Sequence, residues 1–132
     1  MTRIERDDGS PYTAGDDLDC ERDVTDITVT DPLVKAWLTV KTTPSAADPG
    51  TLQKIISTAL VVGVGQIAQD GSEQDGNGTA SLLFQLTAAD TSALGASRTY
   101  HYDVQVKTQS GKIHTPEKGT LRLQAGITDA SS

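Results

Sequence analysis

Residues 100–123 read YHYDVQVKTQSGKIHTPEKGTLRL, and no other stretch constrains the fold as tightly. Tyr100, Tyr102, Val104 and Val106 fall on one side of an extended chain. His101, Asp103, Gln105 and Lys107 fall on the other, the period-two alternation of a strand buried on one face. A turn centred on Ser110-Gly111 sets Gln109 opposite Lys112, Lys107 opposite His114 and Asp103 opposite Lys118. The last is a cross-strand ion pair of about 0.2–1 kcal/mol. Pro116 has no amide to donate and is confined to an edge or a bulge. Gly119 permits a kink, after which Leu121 and Leu123 resume the inward alternation. TPEKGT is therefore expected to be bulged strand and not a binding loop.

The same alternation recurs upstream. LVKAWLTVKT places Val34, Ala36, Leu38 and Val40 on one face, with Leu33, Lys35, Trp37, Thr39 and Lys41 on the other. TASLLFQLT sends Ala80, Leu82, Phe84 and Leu86 inward. ERDVTDITVTD carries Val24, Ile27 and Val29 and is closed by Pro32; LQKIIS is a further short strand. TALVVGVGQIAQ starts another, weakened or bulged by Gly63 and Gly65. In TAADTSALG, Thr87 caps a short helical turn, Asp90 completes a capping box and Gly95 ends it. There is neither an internal repeat nor a long helix. Short strands separated by turns predict an all-β antiparallel sandwich with one helical turn at Thr87–Leu94.

At 132 residues the chain is sized for one domain. Residues 1–19 are acidic and punctuated by Gly9, Pro11 and Gly15, the composition of an extended arm, disordered or pinned by a partner subunit. The expected sandwich spans 20–128, and 129–132 form a short tail. A net charge of −7 and a pI near 4.6 disfavour nucleic-acid and anionic-membrane binding, both of which need clustered cations. The single cysteine, Cys20, cannot form an internal disulfide. The acidic start lacks the apolar core of a secretory signal, and no run approaches the ~20 apolar residues of a membrane span. Synthesis in a cytoplasm is expected.

Candidate chemistry is sparse. Gly63–Ala68, GVGQIA, fits the dinucleotide-binding fingerprint, but the QDGSEQDGNG that follows is not the required helix. Asp70, Glu73, Asp75 and Asn77 offer oxygen ligands for calcium without the EF-hand spacing, and solvated turn residues explain them as well. His101 and His114 lie roughly 20 Å apart at strand rise and share no metal; both are expected to face outward. No Ser-His-Asp or Cys-His arrangement stands out, so no catalytic residue, cofactor or metal is assigned. Trp37, on the second face of its strand, and Tyr12, in the arm, are the aromatic candidates for partner binding.

Three ordered stretches carry a resemblance: KAWLTVKTTPSAADPGTLQKIIS, GTASLLFQLTAADTSAL and YHYDVQVKTQSGKIHTPEKGTLRLQAGIT. Over about residues 20–128 the chain resembles an immunoglobulin-like domain of tailed-bacteriophage virion proteins. It is similar to the N-terminal domain of the baseplate upper protein family. The resemblance implies an immunoglobulin-like sandwich in the virion, present in multiple copies and docked on tail, baseplate, neck, fibre or capsid subunits. It implies no catalytic residue. Capsid decoration and host-surface glycan binding are the alternative roles; a glycan module would need a cluster of exposed aromatics, for which Trp37 and Tyr12 are the candidates.

Overall fold

The computed structural model describes residues 2–4, 12–25, 27–43, 52–72, 78–95 and 98–124. The strands are β1 (Thr2–Ile4), β2 (Tyr12–Thr13), β3 (Leu18–Val24), β4 (Leu33–Lys41), β5 (Leu52–Ile56), β6 (Gly65–Asp70), β7 (Ala80–Leu86), β8 (Arg98–Thr108) and β9 (Ile113–Gln124). One helix, α1 (Ala88–Leu94), joins β7 to β8. The larger sheet runs β1-β9-β8-β4-β5, with β2 also on β9; the smaller runs β3-β7-β6. Except for β1 and β2, which lie parallel to β9, all pairings are antiparallel. The chain is an all-β, two-sheet sandwich.

Alternation fills the space between the sheets. Ala80, Leu82, Phe84 and Leu86 of β7 are buried, as are Tyr100, Tyr102, Val104 and Val106 of β8 and Leu121 and Leu123 of β9. Removing each large apolar side chain from water contributes about 1.5–3 kcal/mol, and this layer is the main support of the fold.

Two bulges alter the expected phase. The β4–β8 register shifts between Leu33 and Lys35, so Leu33 turns inward while Val34 is 40% exposed. This corrects the assignment of those two residues; Ala36, Leu38 and Val40 face inward as expected. In the β8–β9 hairpin Gly111 adopts φ 95°, and the Thr108 amide bonds the Lys112 carbonyl at 2.9 Å. The loop therefore holds Gln109, Ser110 and Gly111, one residue more than a tight turn. His114 pairs with Val106, whereas Asp103 still pairs with Lys118. The shift between Val104 and Val106 sets Thr115 and Pro116 against Gln105 alone. That extra residue restores the expected register, and Pro116 sits in a bulge where a missing amide costs no ladder bond. Asp31 fastens the loop, accepting from the Ser110 amide at 2.8 Å and hydroxyl at 2.6 Å.

The N-terminal segment is expected to be an arm, disordered or pinned by a partner subunit. Its described parts are pinned by the chain itself: Ile4 pairs with Leu121 and is buried, and Tyr12 pairs with Leu123. The Ala14 amide bonds Gln124 and the Gly15 amide bonds the Thr91 hydroxyl. The exposed apolar run Leu60–Val62 is a tight loop, and β6 begins only at Gly65. The C-terminal residues 125–132 lie outside the described residues.

Helix α1 starts on the expected capping box. The Thr87 hydroxyl accepts from the Asp90 amide at 3.2 Å, and the Asp90 carboxylate accepts from the Thr87 amide at 2.8 Å. Lys54 reaches the same carboxylate at 2.6 Å. Burial pushes the Asp90 pKa up, but the Lys54 and Thr87 hydrogen bonds outweigh it and leave the carboxyl below its ordinary value. Such a depressed pKa adds stability that is complete above the unfolded-state pKa and is lost as pH falls through the folded one. Thr87→Ala should therefore cost about 1 kcal/mol in urea unfolding at neutral pH, with a smaller difference at acid pH, where Asp90 is protonated.

Candidate docking face

The outer face of the larger sheet concentrates the cations of an otherwise acidic chain. Register pairs Lys35 with Lys107, Trp37 with Gln105, Thr39 with Asp103 and Lys41 with His101. On the next strand Lys118 pairs with Asp103 and Arg122 with Thr99. Ile55 of the edge strand β5 lies beside Trp37. Lys35, Lys41, Lys107, Lys118 and Arg122 thus share one side, with Asp103 as the acid among the described strand residues there. Setting Lys35 directly opposite Lys107 is unfavourable for the sheet by a few tenths of a kcal/mol. The Lys35 ammonium lies 5.3 Å from the centre of the Trp37 ring, which offsets part of that cost. A shallow depression of about 250 Å³ opens among Lys41, His101, Asp103 and Lys118.

The opposite exterior has the reverse sign. On the smaller sheet Asp19, Glu21 and Asp23 alternate outward along β3, beside Gln85, Leu83 and Ser81 of β7. All three acids are exposed, and no Lys or Arg projects from this face among the described residues. Arg22, between them, points inward with its register partner Leu82.

Arg22 closes the side of the sandwich instead. Its Nε donates to both Glu117 carboxylate oxygens, at 2.9 and 3.0 Å, and the Tyr102 hydroxyl donates to the same carboxylate. Burial raises the Tyr102 pKa, and the Glu117 carboxylate raises it further. Cys20 lies in the same neighbourhood. Burial pushes its thiol up to about 11, against a smaller lowering by Arg22, so it stays protonated at neutral pH. A buried, protonated thiol is a poor nucleophile and is inaccessible for a bridge between chains.

The two aromatic candidates do not come together. Trp37 stands on the outer face of the larger sheet, whereas Tyr12 packs against the core from β2. Counting strands and residues along the register, they lie roughly 25 Å apart. His101 is on the outer face, but His114 shares the inner side with Val106 and borders an inter-sheet cavity of about 380 Å³. His114 is nonetheless exposed, as expected, although it lies on the opposite side of the sheet from His101; the two remain too far apart to share a metal. Gly63–Ala68 forms a turn leading into β6, so the glycine-rich fingerprint opens a strand and not a phosphate-binding helix. Of the calcium candidates, Glu73, Asp75 and Asn77 lie outside the described residues. Asp70 accepts from the Ser72 amide and hydroxyl, the pattern of a solvated turn. Among the described residues no group of three or more metal-ligating side chains is assembled.

The charged faces escaped the reading by residue because each strand contributes only one or two of their members. The signal lay in combining strand alternation with strand order. Compared with protein-family models, with curated proteins and with solved structures, the chain matches none.

Proposed function

We propose that the chain is an immunoglobulin-like module that works by docking, as a non-enzymatic structural subunit of a tailed-bacteriophage virion. The observation that carries the docking reading is the cationic outer face around Trp37. A half-exposed tryptophan on a face that carries five cations of an otherwise acidic chain offers an aromatic anchor with a charged surround. The phage context rests on the resemblance of the three sequence stretches alone.

The immunoglobulin-like reading is supported by strand order. β3-β7-β6 corresponds to strands B, E and D, and β9-β8-β4-β5 to G, F, C and C′. Tyr100, near the start of β8, donates its hydroxyl to the Leu94 carbonyl of the preceding helix, as in a tyrosine corner. Other hallmarks differ. Tyr102 stands where the second cysteine of the B–F disulfide would be, and the strand-C tryptophan faces outward. The Arg22–Glu117–Tyr102 cluster links the two sheets where the disulfide is missing.

Among the alternatives, glycan binding is disfavoured because Trp37 and Tyr12 form no common platform. Tail, baseplate, neck, fibre and capsid positions differ in copy number, so quantitative mass spectrometry of purified particles separates them. Hundreds of copies indicate capsid decoration, and a handful to dozens a tail or baseplate position. The docking face is tested with Trp37→Ala/Lys41→Glu. This variant should fold but fail to join particles, whereas incorporation at the native level overturns the role of the face.

A further inference from the structure

We infer that the partner of the cationic face is a second copy of this chain, presenting the acidic face of its smaller sheet. This rests on the reading of the Trp37 side as a docking face and names what covers it.

Charge complementarity carries the inference. Lys35, Lys41, Lys107, Lys118 and Arg122 stand on one exterior, and Asp19, Glu21 and Asp23 stand on the opposite exterior of the same sandwich. The acids repeat at every second residue of one strand, about 7 Å apart, on a flat edge. Cations spread over three strands, β4, β8 and β9, face them when one molecule is stacked on the next. Like faces repel, so a symmetric face-to-face pair is disfavoured and the contact is head-to-tail. Such a contact does not close on itself at two copies; it continues as a stack or ring. The overall charge of −7 also makes random encounters repulsive, so productive approach is restricted to the orientation that matches the faces.

Size fixes the regime. Three strands of six or seven residues present a flat area on the order of 350 Å², below the ~800 Å² per partner of a stable complex. A single contact is therefore weak and reversible. It becomes persistent only where several copies are held together, as in a multi-copy assembly. Because the charges are exposed, the contact is sensitive to salt, whose screening length shortens to a few ångströms near 1 M.

The test is sedimentation velocity of the full chain from low to high protein concentration, at about 50 mM and about 500 mM salt. At low salt the average mass should rise above the 13.9 kDa monomer with concentration and should not plateau at the dimer. High salt should weaken association on the order of tenfold. Lys35→Glu/Lys107→Glu cancels the positive excess of the one face, and Glu21→Lys/Asp23→Lys turns the other from acidic to basic. Each variant should keep the native circular dichroism spectrum and sediment as a monomer, and an equimolar mixture of the two should associate again. The inference is overturned if the wild type stays monomeric at low salt, if either variant associates like the wild type, or if the mixture does not. Should the wild type be monomeric while Trp37→Ala/Lys41→Glu still fails to enter particles, the docking face stands and its partner is a different protein. Should that variant enter particles normally, the docking reading fails with it.

Discussion

Glu117→Ala is expected to lower stability by about 2–4 kcal/mol, measured as the shift in urea unfolding free energy. The carboxylate takes two bonds from Arg22 and one from Tyr102, on strands of different sheets. Arg22 and Glu117 side chains are only 27% and 16% exposed, so truncation leaves a guanidinium and a phenol without their acceptor in a largely dry place. Losing one member of a fully buried pair costs about 3–5 kcal/mol, and losing an exposed pair about 0–1. This pair lies between those limits, nearer the buried one. Glu117→Gln keeps the shape and one acceptor but not the charge, and should cost about half as much. Replacing both partners, Arg22→Met/Glu117→Leu, should be milder than Glu117→Ala because no charge is stranded. A loss below about 0.5 kcal/mol for Glu117→Ala would place the cluster among solvated surface pairs. The sandwich would then need another account of what holds β3 to β9.

Gly65→Ala should be as damaging, at about 3 kcal/mol or more. Gly65 adopts φ +131°, and a Cβ there would lie 1.9 Å from the Leu83 carbonyl oxygen and 3.0 Å from Ile56 Cγ2. The methyl group meets backbone of the paired strand, which has no rotamer to retreat into, so β6 must lift from β7 or the turn must reopen. Strain and overpacking each contribute about 1–3 kcal/mol at such a site. Gly111 supplies the comparison: its φ is +95° with no atom within 4 Å of a Cβ. Gly111→Ala carries only the left-handed backbone cost, about 1–2 kcal/mol. Equal losses in chemical denaturation at the two positions would remove the steric account of Gly65.

That contrast explains the dinucleotide-like motif. The sequence GVGQIA satisfies a pattern whose glycines serve close approach of backbone to phosphate. Here the second glycine serves close approach of backbone to backbone. The requirement for a missing Cβ was visible in the sequence; what came near it was not.

Other parts of the fold were legible for local reasons. Thr87, Asp90 and Gly95 define α1 because a capping box is satisfied within four residues. The β7 and β8 core faces follow from alternation, since neighbouring side chains on a strand must point to opposite sides. Leu33 and Val34 were assigned to the wrong faces because a bulge inverts that alternation, and Pro32 before it reads equally well as the end of the preceding segment. The N-terminal segment reads as an arm in isolation, because β1 and β2 are three and two residues long and depend on β9, more than a hundred positions away.

For the candidate site, the sequence supplied Trp37 and its lysine neighbours, but the acidic total concealed a cationic face. By itself, the sequence determined the strand alternation, the helix cap and the bulge at Pro116, all consequences of steric and hydrogen-bonding rules acting over a few residues. Tertiary structure alone decided that Arg22 meets Glu117, that Tyr12 packs partly buried against the core and that five cations gather opposite three acids. Those outcomes depend on strand order and register. Both are set by which faces bury best together across the whole chain, and no local window contains that information.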